Sequence, residues 1–121
     1  MTKQKIFNMP IVASQSFLKH HVLPSGQVAD GVTRQILGHD ANIMTVKVDF
    51  KKGAIGELHH HFQTQTSYIA SGSFEVTIAG ESQILTAGDG FYVAPNLIHG
   101  VVCLEDGCLI DSFTPCREDF L

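Results

Sequence analysis

The sequence predicts an all-β domain, folded as an antiparallel sandwich or a small barrel. Many short segments alternate apolar and polar residues, and glycine-rich turns separate them. No segment of useful length shows the period of an amphipathic helix. Short strands that follow one another in this way are typical of sandwiches and barrels.

The individual elements follow in order from residue 31 onward. Alternation is clearest between Ile43 and Phe50, where Met44, Val46 and Val48 share one face with Phe50. The other predicted strands cover residues 31–37, the segment around His59, and residues 66–70, 74–78, 82–86, 91–94, 98–104 and 108–113. Turns are predicted at residues 38–40, 51–53, 71–73, 79–81, 87–90, 95–96 and 105–107.

Residues 1–30 are predicted to form an N-terminal arm, and residues 31–121 to form the barrel. Short edge strands are expected at residues 6–7 and around Val28, with either a strand or a turn of helix within residues 14–23, before Pro24. The arm would pack on the sheet or on a partner subunit. Because it offers a strand for exchange between subunits, we expect a homodimer.

The composition argues against several classes of protein. A chain of 121 residues suits one domain, and a net charge of −4 without a cluster of Lys and Arg argues against nucleic-acid binding. No apolar run approaches the roughly 20 residues that span a bilayer, and Asn8 and Pro10 interrupt the segment that a signal peptide would need. Cys103, Cys108 and Cys116 lack paired spacing, so we expect reduced thiols and a cytoplasmic protein.

The strongest sign of a functional site is the pair His59 and His61. On a strand these side chains would point to one side of the sheet, with His60 on the other. Neutral imidazole is the commonest side-chain ligand for divalent transition metals. A polar turn or an accidental histidine run is the alternative, whereas a purification tag is disfavoured in mid-chain. Three other histidines are interpreted as surface residues: His20, His21 and His39.

Two spaced motifs resemble those of the cupin family. They read Gly53-x5-His59-x-His61-x3-Gln65-x6-Gly72 and, after Gly88-Asp89, Gly90-x4-Pro95-x3-His99. The resemblance implies a double-stranded β-helix, the cupin jelly-roll barrel, that holds one divalent transition metal such as zinc, nickel, manganese or iron. It implies four metal ligands: His59, His61, Gln65 and His99. Gln63 is an alternative to Gln65, but the spacing of the motif favours Gln65.

The sequence departs from the common cupin pattern at two positions. Most cupins carry a glutamate where this chain has Gln65, and many have an asparagine where it has Cys103. An amide and three neutral imidazoles add no negative charge, so the ion would act as a stronger Lewis acid toward an anionic oxygen. This uncharged ligand set is less suited to an oxygen-activating iron centre than one that includes a glutamate. Cys103 shares a strand face with His99 and is interpreted as an inert thiol near the metal.

The C-terminal residues 111–121 resemble the ending of the small cupins of pectin and alginate degradation, and residues 31–34 and 52–56 match that group as well. Those proteins convert 4,5-unsaturated uronates to linear keto sugar acids, and their amide ligand matches Gln65. The resemblance implies that Asp111, Phe113 and Arg117 are catalytic. A metal-dependent lyase or isomerase acting on a small sugar acid is therefore the leading hypothesis. A cupin dioxygenase and a non-catalytic sugar-acid-binding cupin are the alternatives.

Each catalytic residue has a role in this hypothesis and a plainer alternative. Asp111 would shuttle a proton, or it is a solvated residue near a strand end. Arg117 would bind the uronate carboxylate through two hydrogen bonds, or it forms a surface ion pair with its acidic neighbours. Phe113 would pack against the sugar, or it belongs to the core.

Overall fold

The computed structural model describes residues 10–121, in which eight β-strands are followed by one short 3₁₀ turn near the C-terminus. The strands are β1 (Gly26–Ala29), β2 (Val32–His39), β3 (Met44–Phe50), β4 (Ile55–His59), β5 (Thr64–Ile78), β6 (Glu81–Thr86), β7 (Gly90–Val93) and β8 (His99–Thr114). The 3₁₀ turn covers Glu118–Phe120. The predicted all-β class is confirmed. Among the described residues, no helix has the length and apolar character needed to cross a membrane.

All strand pairs are antiparallel, and the two long strands β5 and β8 hold the barrel together. The sheet runs in the order β1-β2-β3-β8-β5-β6, while β4 also pairs with β8 and β7 with β5. The first half of β8 pairs with β4 and its second half with β3. In the same way, β5 pairs first with β7 and then with β6. Each long strand therefore passes from one half of the structure to the other, which closes the sheet into a jelly roll.

The predicted turns at residues 71–73 and 105–107 are wrong, because β5 and β8 continue through both segments. The pairing of β5 with β8 shifts register between Ile69 and Phe74, so the chain forms an irregular bend there. Gly72 has a φ of 84°, and a Cβ at this position would lie 2.5 Å from the Cα of Gly107. The two glycines thus allow close contact between the backbones.

Two further turn predictions have different outcomes. Strand β2 extends to His39 through part of the turn predicted at residues 38–40. The hairpin predicted around residues 79–81 is confirmed, since Ile78 pairs with Glu81. Ala79 and Gly80 both have positive φ, as a two-residue hairpin turn of type I′ requires.

The core confirms the alternation that the sequence predicts for β3. Met44, Val46, Val48 and Phe50 are buried, whereas the residues between them are only partly enclosed. Phe50 packs edge-to-face on Phe74, with ring centroids 5.2 Å apart. Because β3 pairs with β8 along its length, this core fixes which residues of β8 face the interior.

The described part of the N-terminal arm packs against β2. The strand expected around Val28 is confirmed as β1, and residues 10–25 contain no strand. Residues 19–23 make a hydrogen-bonded turn. His20 is exposed as expected, yet its Nδ1 lies 2.9 Å from Oε1 of buried Gln35, and His39 is half-buried. The edge strand expected at residues 6–7 lies outside the described residues, and the boundary between arm and barrel after residue 30 stays a prediction.

Candidate metal centre

Three histidine side chains meet at one end of the barrel. His59 is the last residue of β4 and pairs with His99, the first residue of β8. The ring centroids of His59 and His99 are 4.4 Å apart, and those of His61 and His99 are 4.9 Å apart. One ring nitrogen from each histidine lies within 4.8 Å of the others, a spacing that suits a single metal ion.

The local reason for this convergence differs from the one that the sequence suggested. Strand β4 ends at His59, so His61 lies beyond it and strand alternation does not set its direction. The loop is held instead by the backbone N–H of Asn96, which donates to the carbonyl of His61 over 2.8 Å. His60 is exposed.

Backbone carbonyl groups fix the tautomer of all three imidazoles. The Nδ1 atoms of His59, His61 and His99 lie 2.8, 3.1 and 2.9 Å from the carbonyl oxygens of Glu57, Gln63 and Leu97. A carbonyl oxygen can only accept, so each Nδ1 carries a proton, which leaves Nε2 as the ring nitrogen that can bind a metal. Histidines that bind metals are commonly oriented in this way.

The amide of Gln65 completes the set of ligand atoms. Its Oε1 lies 3.0 Å from Nε2 of His61 and 3.2 Å from Nε2 of His99, while its Nε2 donates to Oγ of Ser67 over 2.9 Å. Lone pairs on two imidazoles and one amide oxygen therefore face one another without a proton between them. A cation would satisfy all of them, so the residues present fit a bound divalent metal.

Burial keeps two of the histidines, His61 and His99, in the form that binds metals. Burial lowers the pKa of His99 to about 4 and also lowers that of His61, where the charge of Arg117 adds to the effect. Both rings are therefore neutral near pH 7. Together with the amide of Gln65, they give a ligand set without charge.

A cavity of about 380 Å³ opens beside the histidines. Its wall includes His59, Gln65 and His99 from the metal centre. The wall also includes the side chains that are candidate catalytic or binding groups: Arg34, Asp111, Phe113, Arg117 and Phe120. The structure thus brings the three predicted catalytic residues to the same cavity as three of the four predicted metal ligands.

Asp111 points into this cavity from β8, where it pairs with Val46 on one side and Ser67 on the other. Burial raises the pKa of Asp111 to about 6, although the Ser67 hydrogen bond and the Arg117 charge act against the rise. The hydroxyl of Ser67 donates to Oδ1 of Asp111 over 2.6 Å. Asp111 is therefore an enclosed carboxyl group rather than a solvated one.

Arg117 lies in the cavity wall and is already paired. Its Nε and Nη2 donate to the two carboxylate oxygens of Asp119 over 3.1 and 2.9 Å. The Arg117 side chain is 11% exposed and that of Asp119 is 62% exposed. The hydrogen bond from Arg117 lowers the pKa of Asp119. The predicted contact with a substrate carboxylate would have to use the remaining N–H groups of Arg117.

Phe113 belongs to both the core and the cavity. It is 3% exposed, and its ring contacts those of His61 and Phe120 edge-on at centroid distances of 5.5 and 5.9 Å. Phe113 therefore packs against the ring of His61 and also lines the cavity.

The two residues that the sequence left open lie away from the ligand atoms. Gln63 is buried, and its amide donates to the carbonyl of Cys116 over 3.2 Å, so Gln65 rather than Gln63 faces the histidines. Cys103 lies in the apolar core with its Sγ 2.9 Å from the carbonyl oxygen of Glu105. Burial raises the pKa of the Cys103 thiol, which makes it inert.

Sequence reasoning missed three residues of the site: Ser67, Arg34 and Phe120. Ser67 could have been found, because it stands two residues after Gln65 on a predicted strand and so shares its face. Arg34 and Phe120 meet only because the C-terminal turn folds back over β2. The sequence contains no local signal for that contact.

An antiparallel jelly roll with three histidines and one amide at its open end defines a barrel of the cupin class whose side chains could hold a metal ion. In agreement, the Cupin domain family matches residues 46–110, and the chain belongs to the cupin family. It is 48% identical over 100 residues to the pectin degradation protein KdgF of Dickeya dadantii, covering 81% of this chain and 91% of that protein. This level of identity places it in the same group of small cupins as KdgF.

Solved structures give the same result. The structure of KdgF from Halomonas sp. superposes with a TM-score of 0.85 at 38% identity, covering 89% of this chain and all of that one (100%). An RmlC-like cupin from Shewanella frigidimarina superposes with a TM-score of 0.88 at 42% identity, covering 90% and 98% of the two chains. The cupin fold predicted from the two motifs is confirmed.

Proposed function

We propose that this protein converts 4,5-unsaturated uronate monosaccharides to linear keto sugar acids during pectin or alginate breakdown. The observation that carries the proposal is an enclosed carboxyl group, Asp111, in the same cavity as an uncharged set of metal ligands. The similarity to KdgF, named as a pectin degradation protein, supports the class of substrate.

The reaction needs a proton moved from oxygen to carbon. Ring opening breaks the bond between the ring oxygen and C1 and releases the proton of the C1 hydroxyl, which leaves an aldehyde and an enolate. Addition of a proton at C4 then gives the ketone at C5, so no atom is gained or lost. An enzyme can speed this sequence by supplying an acid–base group and by stabilising the negative charge on oxygen.

Asp111 is the acid–base group in this proposal. Since burial raises its pKa to about 6, both its protonated and its ionised forms are populated near neutral pH. The ionised form would accept the hydroxyl proton, and the protonated form would deliver a proton to C4. The Ser67 hydrogen bond fixes the orientation of the carboxyl group while it does so.

The remaining groups bind and orient the substrate. His59, His61, Gln65 and His99 would hold one divalent metal, which supplies positive charge for substrate oxygens when bound. Arg117 adds a further positive charge in the wall, and its N–H groups not used by Asp119 can donate to sugar oxygens. The face of Phe113 would pack against the sugar and exclude water.

The test is the loss of ultraviolet absorbance of an unsaturated uronate on addition of the protein loaded with zinc, nickel or manganese. We expect a rate well above the spontaneous one. No acceleration with metal confirmed in the protein would overturn the proposal. If calorimetry then showed uronate binding, the protein would be a sugar-acid-binding cupin instead.

We further propose that the protein is a cytoplasmic homodimer. The three cysteines are free and buried, which agrees with a reducing compartment. The arm exposes three large apolar side chains, Val12, Phe17 and Val22, each at least 70% exposed, and a partner subunit would cover them. Light scattering should give twice the chain mass of 13.2 kDa, and a monomeric mass would exclude the dimer.

A further inference from the structure

We propose that Arg34, rather than Arg117, receives the carboxylate of the substrate and so makes the site selective for sugar acids over neutral sugars. This inference rests on the function proposed above, because it assigns the residue that recognises the acid group of the uronate.

Strand β2 directs Arg34 toward the cavity. Arg34 pairs with Val48 of β3, a buried core residue, and it lies two residues after the buried Val32. Residues two apart on a strand share a face. Both Val32 and Arg34 line the cavity that also contains His59 and Asp111. A ligand in this cavity therefore meets Arg34 and the metal centre together.

The guanidinium of Arg34 is held in place without its donors being used. Its Cζ lies 3.7 Å from the centroid of the Phe120 ring, a contact that uses the face of the guanidinium or its charge. Within residues 10–121, the structure records no ion pair and no side-chain hydrogen bond for Arg34. Its five N–H donors therefore remain available to a ligand.

Arg117 is in the opposite situation. Two of its donors point at the two oxygens of Asp119, which is the geometry that a substrate carboxylate would otherwise adopt. Its guanidinium also contacts the Phe120 ring, with Cζ at 4.2 Å from the centroid. Of the two arginines that contact this ring, Arg117 has two of its N–H groups occupied by Asp119, whereas Arg34 has no such partner among the described residues.

The charges of the cavity lead to the same conclusion. Asp119 pairs with Arg117, and the metal ligands contribute no negative charge. The lining also contains the carboxyl groups of Glu57 and Asp111. Burial lowers the pKa of Arg34, the nearby charge of Arg117 lowers it further, and the charge of Asp119 acts in the opposite direction. A guanidinium stays charged even so. The two guanidinium groups therefore repel each other. An anionic ligand would relieve this repulsion, whereas a neutral sugar would not.

A carboxylate bound to Arg34 would also position the reacting atoms. The carboxyl carbon of a uronate is bonded to C5, and C5 is bonded to C4, where the proton is added. Two hydrogen bonds from a planar guanidinium would fix the plane of the carboxylate and, through it, the double bond between C4 and C5. Arg34 would thus act as a binding residue that also orients the substrate.

The test compares binding of galacturonate, a saturated uronate that cannot react, with binding of its methyl ester to the metal-loaded protein by calorimetry. We expect the unmodified protein to prefer the acid by roughly ten- to hundred-fold, the value of a charge-assisted contact. Arg34→Gln should remove this preference. Arg34→Lys should keep part of it, because it retains the charge but not the fork. Lys52→Gln, which removes an exposed positive charge outside the cavity lining, should leave the preference unchanged.

The variant Asp119→Asn distinguishes the roles of the two arginines in binding the carboxylate. If Arg34 binds the carboxylate, Asp119→Asn should leave the preference for the acid nearly unchanged, because Arg117 does not make that contact. If Arg34→Gln kept the full preference while it folded and held metal, or if Asp119→Asn strengthened acid binding ten-fold, Arg34 would not be the receptor.

Kinetics distinguish this inference from the proposed function. In a protein that turns over unsaturated uronate, Arg34→Gln should raise KM by roughly ten-fold or more, since one charge-assisted contact is lost. Unchanged KM would overturn the role of Arg34 and leave the proposed function intact. A different result would be a protein that fails to turn over unsaturated uronate and still prefers the acid in a way that depends on Arg34. That result would overturn the proposed function and leave the role of Arg34 intact.

Discussion

Ser67 donates its one hydroxyl proton to Oδ1 of Asp111 over 2.6 Å. Because that proton is used, Oγ of Ser67 can only accept from the amide of Gln65, which lies 2.9 Å away. The amide nitrogen therefore points at Ser67, and its oxygen points at the histidines. A single hydroxyl thus links the orientation of a metal ligand to the acid–base group of the cavity.

The first prediction concerns Ser67. In Ser67→Ala the Gln65 amide loses its anchor, so metal affinity should fall by roughly ten-fold or more, as for other groups that orient ligands. The carboxylate of Asp111 also loses a hydrogen bond that lowers its pKa, so the acid limb of the rate profile should move to higher pH. Chelator competition and a pH profile measure the two effects.

Two variants serve as controls for Ser67. Ser67→Thr keeps the hydroxyl and should restore both properties. Ser112→Ala removes a hydroxyl from the neighbouring position of β8, on the other side of the strand from Asp111, and should change neither. A Ser67→Ala protein with normal metal affinity and an unshifted profile would show that the link has no function.

The second prediction compares adjacent histidines. His61→Ala should weaken zinc binding by roughly a hundred-fold, because it removes a ligand, whereas His60→Ala should not, because His60 is not among the three histidines whose ring nitrogens meet. In the unmodified protein, zinc at about a thousand times its Kd should stabilise the fold by about 4 kcal/mol. Thermal melting with and without metal measures this effect. Equal responses of the two variants would exclude the proposed centre.

The third prediction concerns stability and pH. The pKa of Asp111 is about 6 in the folded state and near 3.8 when unfolded, so the native state binds more protons between these values. Stability from this group is therefore full below pH 4 and is lost as the pH rises through 6. In metal-free protein at pH 7, Asp111→Asn should be more stable than the unmodified chain by about 1–3 kcal/mol.

Chemical unfolding at two pH values checks this difference. The advantage of Asp111→Asn should shrink as the pH falls toward 4, where the carboxyl group is protonated in the native state and nearly half protonated in the unfolded state. If Asp111→Asn were less stable at pH 7, the cost of burying the carboxylate would be offset by its interactions in the folded state, which would contradict this prediction.

The fourth prediction concerns the charge of the ligand set. Gln65→Glu adds one negative charge beside the metal, so the ion should bind more tightly by roughly ten-fold or more. The same charge weakens the attraction of the metal for a negatively charged substrate oxygen, so turnover should fall. Chelator competition and the ultraviolet assay would measure both. Faster turnover in Gln65→Glu would contradict the importance of an uncharged set.

Some parts of the structure could be predicted because the information is local. The faces of β3 follow from alternation between Met44 and Phe50, and the hairpin at Ala79 and Gly80 follows from turn chemistry. The motif spacing also indicated which side chains would meet around His99. It did so although His61 lies beyond the end of β4, where strand alternation no longer applies.

Other parts depend on contacts between distant segments. Gly72 and Gly107 lie in segments that the sequence predicts as turns, yet they permit two long strands to pass close to each other. The sequence cannot distinguish these uses, since both need a residue without Cβ. The contact between Arg34 and Phe120 follows from the position of the C-terminal turn, which no local pattern records.

The most direct test of the central claim is the position and stereochemistry of the proton that Asp111 is proposed to deliver. The metal-loaded protein would act on an unsaturated uronate in deuterium oxide, and nuclear magnetic resonance would follow C4 of the product at early times. We predict one deuterium at C4 in a single configuration, and a mixture of both configurations at the spontaneous rate for Asp111→Ala. A mixture from the unmodified protein, or a single configuration from Asp111→Ala at an unchanged rate, would contradict the account.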